Sequence, residues 1–232
     1  MILAANQPYL LPYFPYWQLI NAADFFLLGD DYAFIKRGWI VRNRILVQGK
    51  PQYLRMEVRA KSSFKLIRDT ELAPVRLDDK LKTVEMAYHK APFFQDVYPL
   101  VERILCNPER NLVAFLASSI RDVCGWLGIT TPIGRTSDLS GNRQFKREKR
   151  IYDFCHRLKA DTYINPIGGT ALYHGKDFAR EGIRLYFLQG RHTPYPQFNL
   201  PFVDKLSILD AMMFLSREEL HDRLNDYDLI DG

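Results

Sequence analysis

Residues 2–45 read ILAANQPYLLPYFPYWQLINAADFFLLGDDYAFIKRGWIVRNRI, from Ile2 to Ile45. The run up to Ala5 is short and apolar and is followed by Pro8, which suits a buried strand ending in a loop. Pro8, Pro12 and Pro15 exclude a helix until about Tyr16, where WQLINAA takes up an apolar helical pattern that Asn21 to Asp24 brings to an end. DFFLLGDD is then a second buried strand. Strand, loop, short helix and strand form a right-handed parallel βαβ unit, whose ligands sit beyond the carboxyl ends of the strands. The expected rim joins Gln7 and Tyr9 to Asp30 and Asp31.

Outward from this unit, the runs ILV and PQYLRMEV flank Gln48-Gly49-Lys50 as a β-hairpin. A helical lobe follows, with Leu81, Val84 and Tyr88, then Phe94, Val97, Val101 and Ile104, at helical spacing around a break at His89 to Pro92. Asn107 reads as an N-cap with Pro108 at the first helical position, leading to the stripe Leu112, Leu116, Ile120, Val123, Leu127 and a stop at Gly128. The last third returns to α/β rhythm: a helix over Arg147 to Leu158, a strand over Thr162 to Asn165, a glycine loop Pro166 to Gly169, a short helix stopped by Gly182, and a strand over Ile183 to Leu188. Ser207 with Asp210 and Ser216 with Glu219 resemble helix starts, the second a capping box. The fold expected is α/β, a Rossmann-like three-layer arrangement with a mostly parallel sheet. One domain spans 1–232, with residues 46–130 as an inserted hairpin plus helical lobe.

With 232 residues, 47% apolar and 25% charged, the chain has the composition of a soluble globular protein. Cys106, Cys124 and Cys155 are widely spaced inside apolar helical patterns, with neither a disulfide framework nor a CxxC pair, so a cytoplasmic location is expected. No signal peptide or membrane span is read. The net charge of +5 concentrates at Lys36 to Arg44 and Arg143 to Arg150, which favours local anion sites and a phosphorylated small-molecule partner.

Lys36, Arg37, Arg42 and Arg44 surround Trp39 and Asn43. They read either as a solvated strand edge or as a phosphate site, for which planar guanidinium groups are the better ligands. Asp30 and Asp31 read as a metal ligand, a general base, or partners of nearby arginines, one of them pointing inward and the other outward. The tyrosines of the loop, Tyr9 and Tyr13 included, pack a core or line a site for a ring or sugar. In INPIGG, Gly168 and Gly169 permit close approach to a ligand or make a plain turn. His89, His156, His174, His192 and His221 have no zinc spacing, and no metal is expected. GGTALYHGK misses the P-loop because Thr170 stands at its first glycine, while GxGxxG and GxSxG are absent. No cofactor is identified.

NQPYLLPYFPYWQLINAAD, DDYAFIKRGWIVRNRIL, HKAPFFQDVYPL, ADTYINPIGGTALY and LSILDAMMFL occur in this order over nearly the whole length. On these motifs the chain resembles the WbqC-like family of bacterial proteins, associated with O-antigen and other surface-polysaccharide gene clusters. The resemblance implies an acyl or aminoacyl transferase, with glycine one candidate group, acting on a nucleotide-linked amino sugar. The donor is a nucleotide-activated acyl group, aminoacyl-tRNA or a carrier thioester. Its motif positions are Gln7, Pro8, Tyr9, Pro12, Asp30, Asp31, Lys36, Trp39, Arg42, Asn43 and Arg44, followed by Lys90, Asn165, Gly168 and Gly169. Two alternatives stand beside it: a noncatalytic binding protein for a nucleotide sugar or sugar phosphate, and an adenylate-forming nucleotidyltransferase-like enzyme.

Overall fold

The structure, a computed structural model, describes residues 1–59, 64–74, 77–191 and 193–232; His192 lies outside them, as does the side chain of Leu77. The first unit is β1 (Ile2–Asn6), α1 (Phe14–Asn21) and β2 (Phe25–Leu28). The helix begins two residues earlier than the prolines suggest, because Pro15 occupies its first turn, where a missing N–H costs nothing. Next come β3 (Arg42–Val47), β4 (Lys50–Arg55), α2 (Leu77–Tyr88), α3 (Phe94–Leu105) and α4 (Leu112–Leu127). The chain then rejoins the sheet through β5 (Ile133–Arg135), α5 (Glu148–Leu158), β6 (Thr162–Pro166), α6 (Gly175–Arg180) and β7 (Arg184–Gly190). It ends with α7 (Ile208–Phe214), α8 (Arg217–Arg223) and β8 (Tyr227–Asp231).

The main sheet has the order β5-β2-β1-β6-β7-β8, parallel throughout except for β8, which runs antiparallel to β7. The chain therefore builds outward from β1 on one side and, after β5, crosses back to add β6 on the other. Alternation along β1 sends Ala4 to one face and Leu3 and Ala5 to the opposite one. The first face packs against α1, α4 and the helical lobe, with Trp17, Phe26, Phe115 and Leu116 fully buried. The second packs against α5 and α6 through Ile151, Phe154 and Phe178. These are the three layers of a Rossmann-like α/β fold.

The hairpin forms as its turn chemistry requires: Gln48 and Gly49 both take positive φ, 50° and 74°, and β3 pairs with β4 in a separate two-stranded sheet. The cap of α4 differs from the expectation. Asn111, not Asn107, accepts the N–H of Ala114 at 3.0 Å, while Asn107 accepts only from Glu109 in the preceding loop. The stripe and its stop hold, with Gly128 left-handed at φ 77°. Ser207 accepts from Leu209 and Ser216 forms a capping box with Glu219. Two strands escaped the reading. β5 is three residues long, and β8 is an exposed edge whose Asp228 pairs with Arg191, which also meets Asp226 just before the strand.

Candidate functional site

Between β1 and β6 the order of the sheet reverses, and the crevice outside the carboxyl ends of strands at such a point is where open α/β sheets take ligands. A cavity of about 160 Å³ occupies the place, lined by Asn6, Tyr13, Pro15 and Tyr16 on one side and by Pro166, Ile167, Leu188, Gln189 and Gly190 on the other. Asn6 uses its carbonyl oxygen to accept the N–H of Gln7 at 2.8 Å. The Tyr16 hydroxyl donates to the carbonyl of Gln7 at 3.0 Å. Burial raises the phenols of Tyr9 and Tyr13, helped for Tyr13 by the charge of Asp204, so both remain protonated at neutral pH. The walls thus offer amide and phenol groups over an apolar floor.

The proline-tyrosine loop owes its shape to the RNR segment. Leu11 takes a left-handed φ of 41°, a strained conformation for a leucine, and its carbonyl is held from two sides: by Nδ2 of Asn43 at 2.8 Å and by Oγ of Ser207 at 2.7 Å. Asn43 also donates to Leu10, and Leu10 in turn donates to Ile40. Arg44 spends its guanidinium on the carbonyls of Lys205 and Asp204, at 2.8 and 3.4 Å, while its own carbonyl accepts from Ser207. Asn43 and Arg44 therefore brace the wall that carries Tyr13, and neither lines the cavity.

Asp30 and Asp31 lie toward the β2–β5 end. Both are buried, at 1% and 4% exposure, against the expected inward and outward split. Gly29 ends β2, so the two aspartates fall in a turn where strand alternation no longer applies. Asp30 accepts from the Thr136 hydroxyl and from the backbone N–H and hydroxyl of Ser137, at 3.1, 3.0 and 2.6 Å. Asp31 accepts from Thr136 at 2.5 Å and receives Nη2 of Arg150 on both oxygens at 2.6 Å. Burial alone would raise the Asp31 carboxyl, but the hydrogen bonds from Arg150 and Thr136 and the Arg150 charge outweigh it and hold the group below its usual value. Arg150 is itself enclosed: Nε donates to Asn142 at 2.8 Å and its guanidinium lies 4.6 Å from the Tyr32 ring. The arginine partner of Asp31 therefore comes from α5 and not from the nearby RNR segment.

The other expected residues disperse. Tyr9 packs its ring against Tyr16, and Gln7 is half-buried at the end of β1. Asn165 donates to the Pro166 carbonyl, and a Cβ at Gly169 would displace the Asn165 side-chain amide, whereas a Cβ at Gly168 would meet nothing. Lys90 is exposed in the turn after α2, Lys36 and Trp39 are exposed in the segment that precedes the hairpin, and Arg42 is the first residue of β3. Sequence reading missed Thr136, Ser137 and Arg150. Arg150 carried a signal, since it sits four residues before Phe154 on the apolar stripe of α5, where a cation needs a buried partner. It also missed Asp210, wholly buried, which accepts from Tyr88, Tyr195 and Gln197 at 2.8, 2.7 and 2.6 Å. Burial raises that carboxyl despite its three donors.

Among the described residues no group of three or more His, Cys, Asp or Glu side chains is arranged to hold a metal ion, and no helix is long and apolar enough to cross a membrane.

The architecture is that of a three-layer, Rossmann-like α/β protein, and the sequence shows the family to which it belongs. The chain matches the WbqC-like protein family over residues 7–222 and belongs to that family. It is similar to the uncharacterized protein Rv1507c of Mycobacterium tuberculosis (strain ATCC 25618 / H37Rv), with 24% identity over 223 residues, 93% of this chain and 94% of that protein. No solved structure matches it.

Proposed function

We propose that the protein is a transferase of bacterial surface-glycan assembly that places an acyl or aminoacyl group, glycine among the candidates, on a nucleotide-linked amino sugar. The observation that carries this reading is the crevice at the reversal of strand order, with Asn6, Tyr13, Tyr16 and Gln189 as its polar groups. Its volume of about 160 Å³ falls below the roughly 300 Å³ at which pockets begin to enclose whole drug-sized ligands. The crevice therefore suits one sugar ring, with the nucleotide remaining outside. In the reaction the sugar's amine attacks the acyl carbonyl, the donor's leaving group departs and one proton is lost. The cluster of Asp30, Asp31 and Arg150 carries one net negative charge, which favours an approaching ammonium, and the proton released on attack leaves to solvent.

A second reading, noncatalytic binding of the same ligand, is favoured by the full engagement of both carboxylates. Calorimetry with a panel of nucleotide-linked amino sugars tests the binding they share. Tyr13→Ala is expected to weaken binding about tenfold, or ~1.4 kcal/mol. If no nucleotide sugar binds, both readings fail. Mass spectrometry of the sugar after incubation with aminoacyl-tRNA, aminoacyl adenylate or carrier thioester then separates them, since acylated product requires the transferase.

A further inference from the structure

Between Tyr32 and Met56 the chain carries Lys36, Arg37, Arg42, Arg44, Lys50 and Arg55 and not one acidic residue. The hairpin concentrates this charge. Its register sets Arg42 directly opposite Arg55 and Arg44 opposite Tyr53, and strand periodicity puts these four residues on one face of the ribbon. Like charges facing each other across a strand pair repel. Here they are kept close by the Tyr53 ring, whose centroid is 4.5 Å from the Arg42 guanidinium and 4.9 Å from that of Arg55. Trp39 lies alongside, 5.9 Å from Arg42 and tilted by 40° against Tyr53 at 6.4 Å. Both aromatic side chains are 42% exposed.

None of Lys36, Arg37, Arg42, Lys50 and Arg55 pairs with a carboxylate among the described residues. Nη2 of Arg42 donates to the Arg37 carbonyl, while its Nε is buried and makes no hydrogen bond. Cations alone would serve to keep a strand edge from pairing with another chain, but that purpose needs no exposed indole and phenol set beside guanidinium groups. A membrane-binding face would group its aromatics with other apolar side chains, whereas the immediate neighbours of Tyr53 on this face are arginines.

We propose that this face of the β3–β4 hairpin binds single-stranded nucleic acid, with bases stacked on Trp39 and Tyr53 and phosphates held by Arg42, Arg55, Lys36 and Arg37. Stacking platforms interleaved with cations take single strands of any sequence, and a ribbon of this size suits about four nucleotides. The inference stands on the hairpin alone. Joined to the transferase reading, on which this extension rests, it names the donor as an aminoacyl group carried on RNA.

The test is fluorescence anisotropy of the full chain with a labelled single-stranded RNA 12-mer, the DNA of the same sequence, an RNA duplex, and vesicles containing phosphatidylserine. Single strands should bind more tightly than the duplex. The log–log salt slope should be about −2 to −3, at roughly −0.7 for each of three or four phosphates. The double variant Trp39→Ala, Tyr53→Ala should weaken binding at least tenfold. Arg42→Gln with Arg55→Gln should make the slope shallower by about 1.4. Thermal unfolding of both variants verifies that they fold. Equal binding of RNA and DNA upholds the single-strand surface and removes the RNA-borne donor. The proposal is overturned if neither single strand binds at low salt, if the aromatic variant folds and binds undiminished, or if vesicles are preferred. Nucleotide-sugar affinity, measured separately, is unaffected by that failure.

Discussion

Replacing Arg150 by methionine removes the cation facing Asp31 while keeping most of the side chain's aliphatic volume. The two charged groups are 8% and 2% exposed and 2.6 Å apart, so the variant leaves a carboxylate buried with no countercharge. Breaking such a pair from one side costs about 3–5 kcal/mol. Losing the hydrogen bond to Asn142 and the stacking on Tyr32 works in the same direction, while the Thr136 hydroxyl still donates to Asp31. For a chain of this length the melting temperature should fall by about 10 °C.

The pH dependence distinguishes the cause. In the native protein the Asp31 carboxyl lies below its ordinary value of 3.8, so its stabilising contribution is present above that pH and is lost as the pH falls through the folded value. Without Arg150, burial, already the largest single influence, is no longer outweighed and raises the carboxyl. The variant then binds more protons folded than unfolded, and its stability falls as the pH rises through the new value. Urea unfolding followed by tryptophan fluorescence at pH 4.5 and pH 7.5 reads this directly, since Trp17 is wholly buried. Asp31→Asn combined with Arg150→Met should recover much of the loss at pH 7.5. A single variant that loses less than about 1 kcal/mol, or keeps the wild-type pH slope, would refute the buried-pair account.

Three further outcomes are expected. Asp210→Ala strips the acceptor from three donors and should cost at least ~3 kcal/mol. Asp210→Asn should cost about 1–2 kcal/mol and remove the loss of stability that the raised carboxyl imposes on the wild type as the pH climbs from 3.8; urea titrations at pH 5 and pH 8 compare them. Gly190→Ala would set a Cβ 2.4 Å from Oε1 of Gln18 and 2.8 Å from Cγ of Pro15, forcing α1 off β7; an overpacking loss of about 1–3 kcal/mol by chemical denaturation is expected, and an unchanged midpoint would contradict it. Burial pushes the thiols of Cys124 and Cys155 up to about 12, and only Cys106 is exposed, so one thiol should react with an aromatic disulfide reagent in the native protein and three in urea; two fast native thiols would speak against the packing.

Much of the fold is legible in local chemistry. The strands ILAAN and FFLL, the α4 stripe with Gly128 after it, and the Gln48-Gly49 turn each satisfy short-range rules that tertiary structure had no cause to override. What local pattern hides is pairing over distance. Asp31 meets Arg150 across 119 positions, and Tyr88 meets Asp210 across 122. No periodicity encodes those distances. β8 stayed hidden because an edge strand bearing Asp228 and Asp231 lacks the apolar alternation by which strands are recognised, and Asn107 misled because Asn111 is an equally good cap. The crevice was half legible: the tyrosine loop and INPIGG do converge on it, through Tyr13, Tyr16, Pro166 and Ile167. The RNR segment had to be seen folded before its support of Leu10 and Leu11 could be told from ligand binding.

The central strand pair also sets a timetable for synthesis. β1 and β2 emerge from the ribosome almost together, but β6, the other neighbour of β1, begins about 130 residues after β2 ends. At translation rates of about 5–20 residues per second the wait is on the order of 10 s. Throughout it, the backbone edge of β1 that will accept Thr162 to Ile164 has no strand to pair with, while Leu3 and Ala5 lack the helix α5 that will cover them. Until β6 is made that edge stays open to pairing with another strand, and the helical lobe made in the interval covers only the opposite face of the sheet.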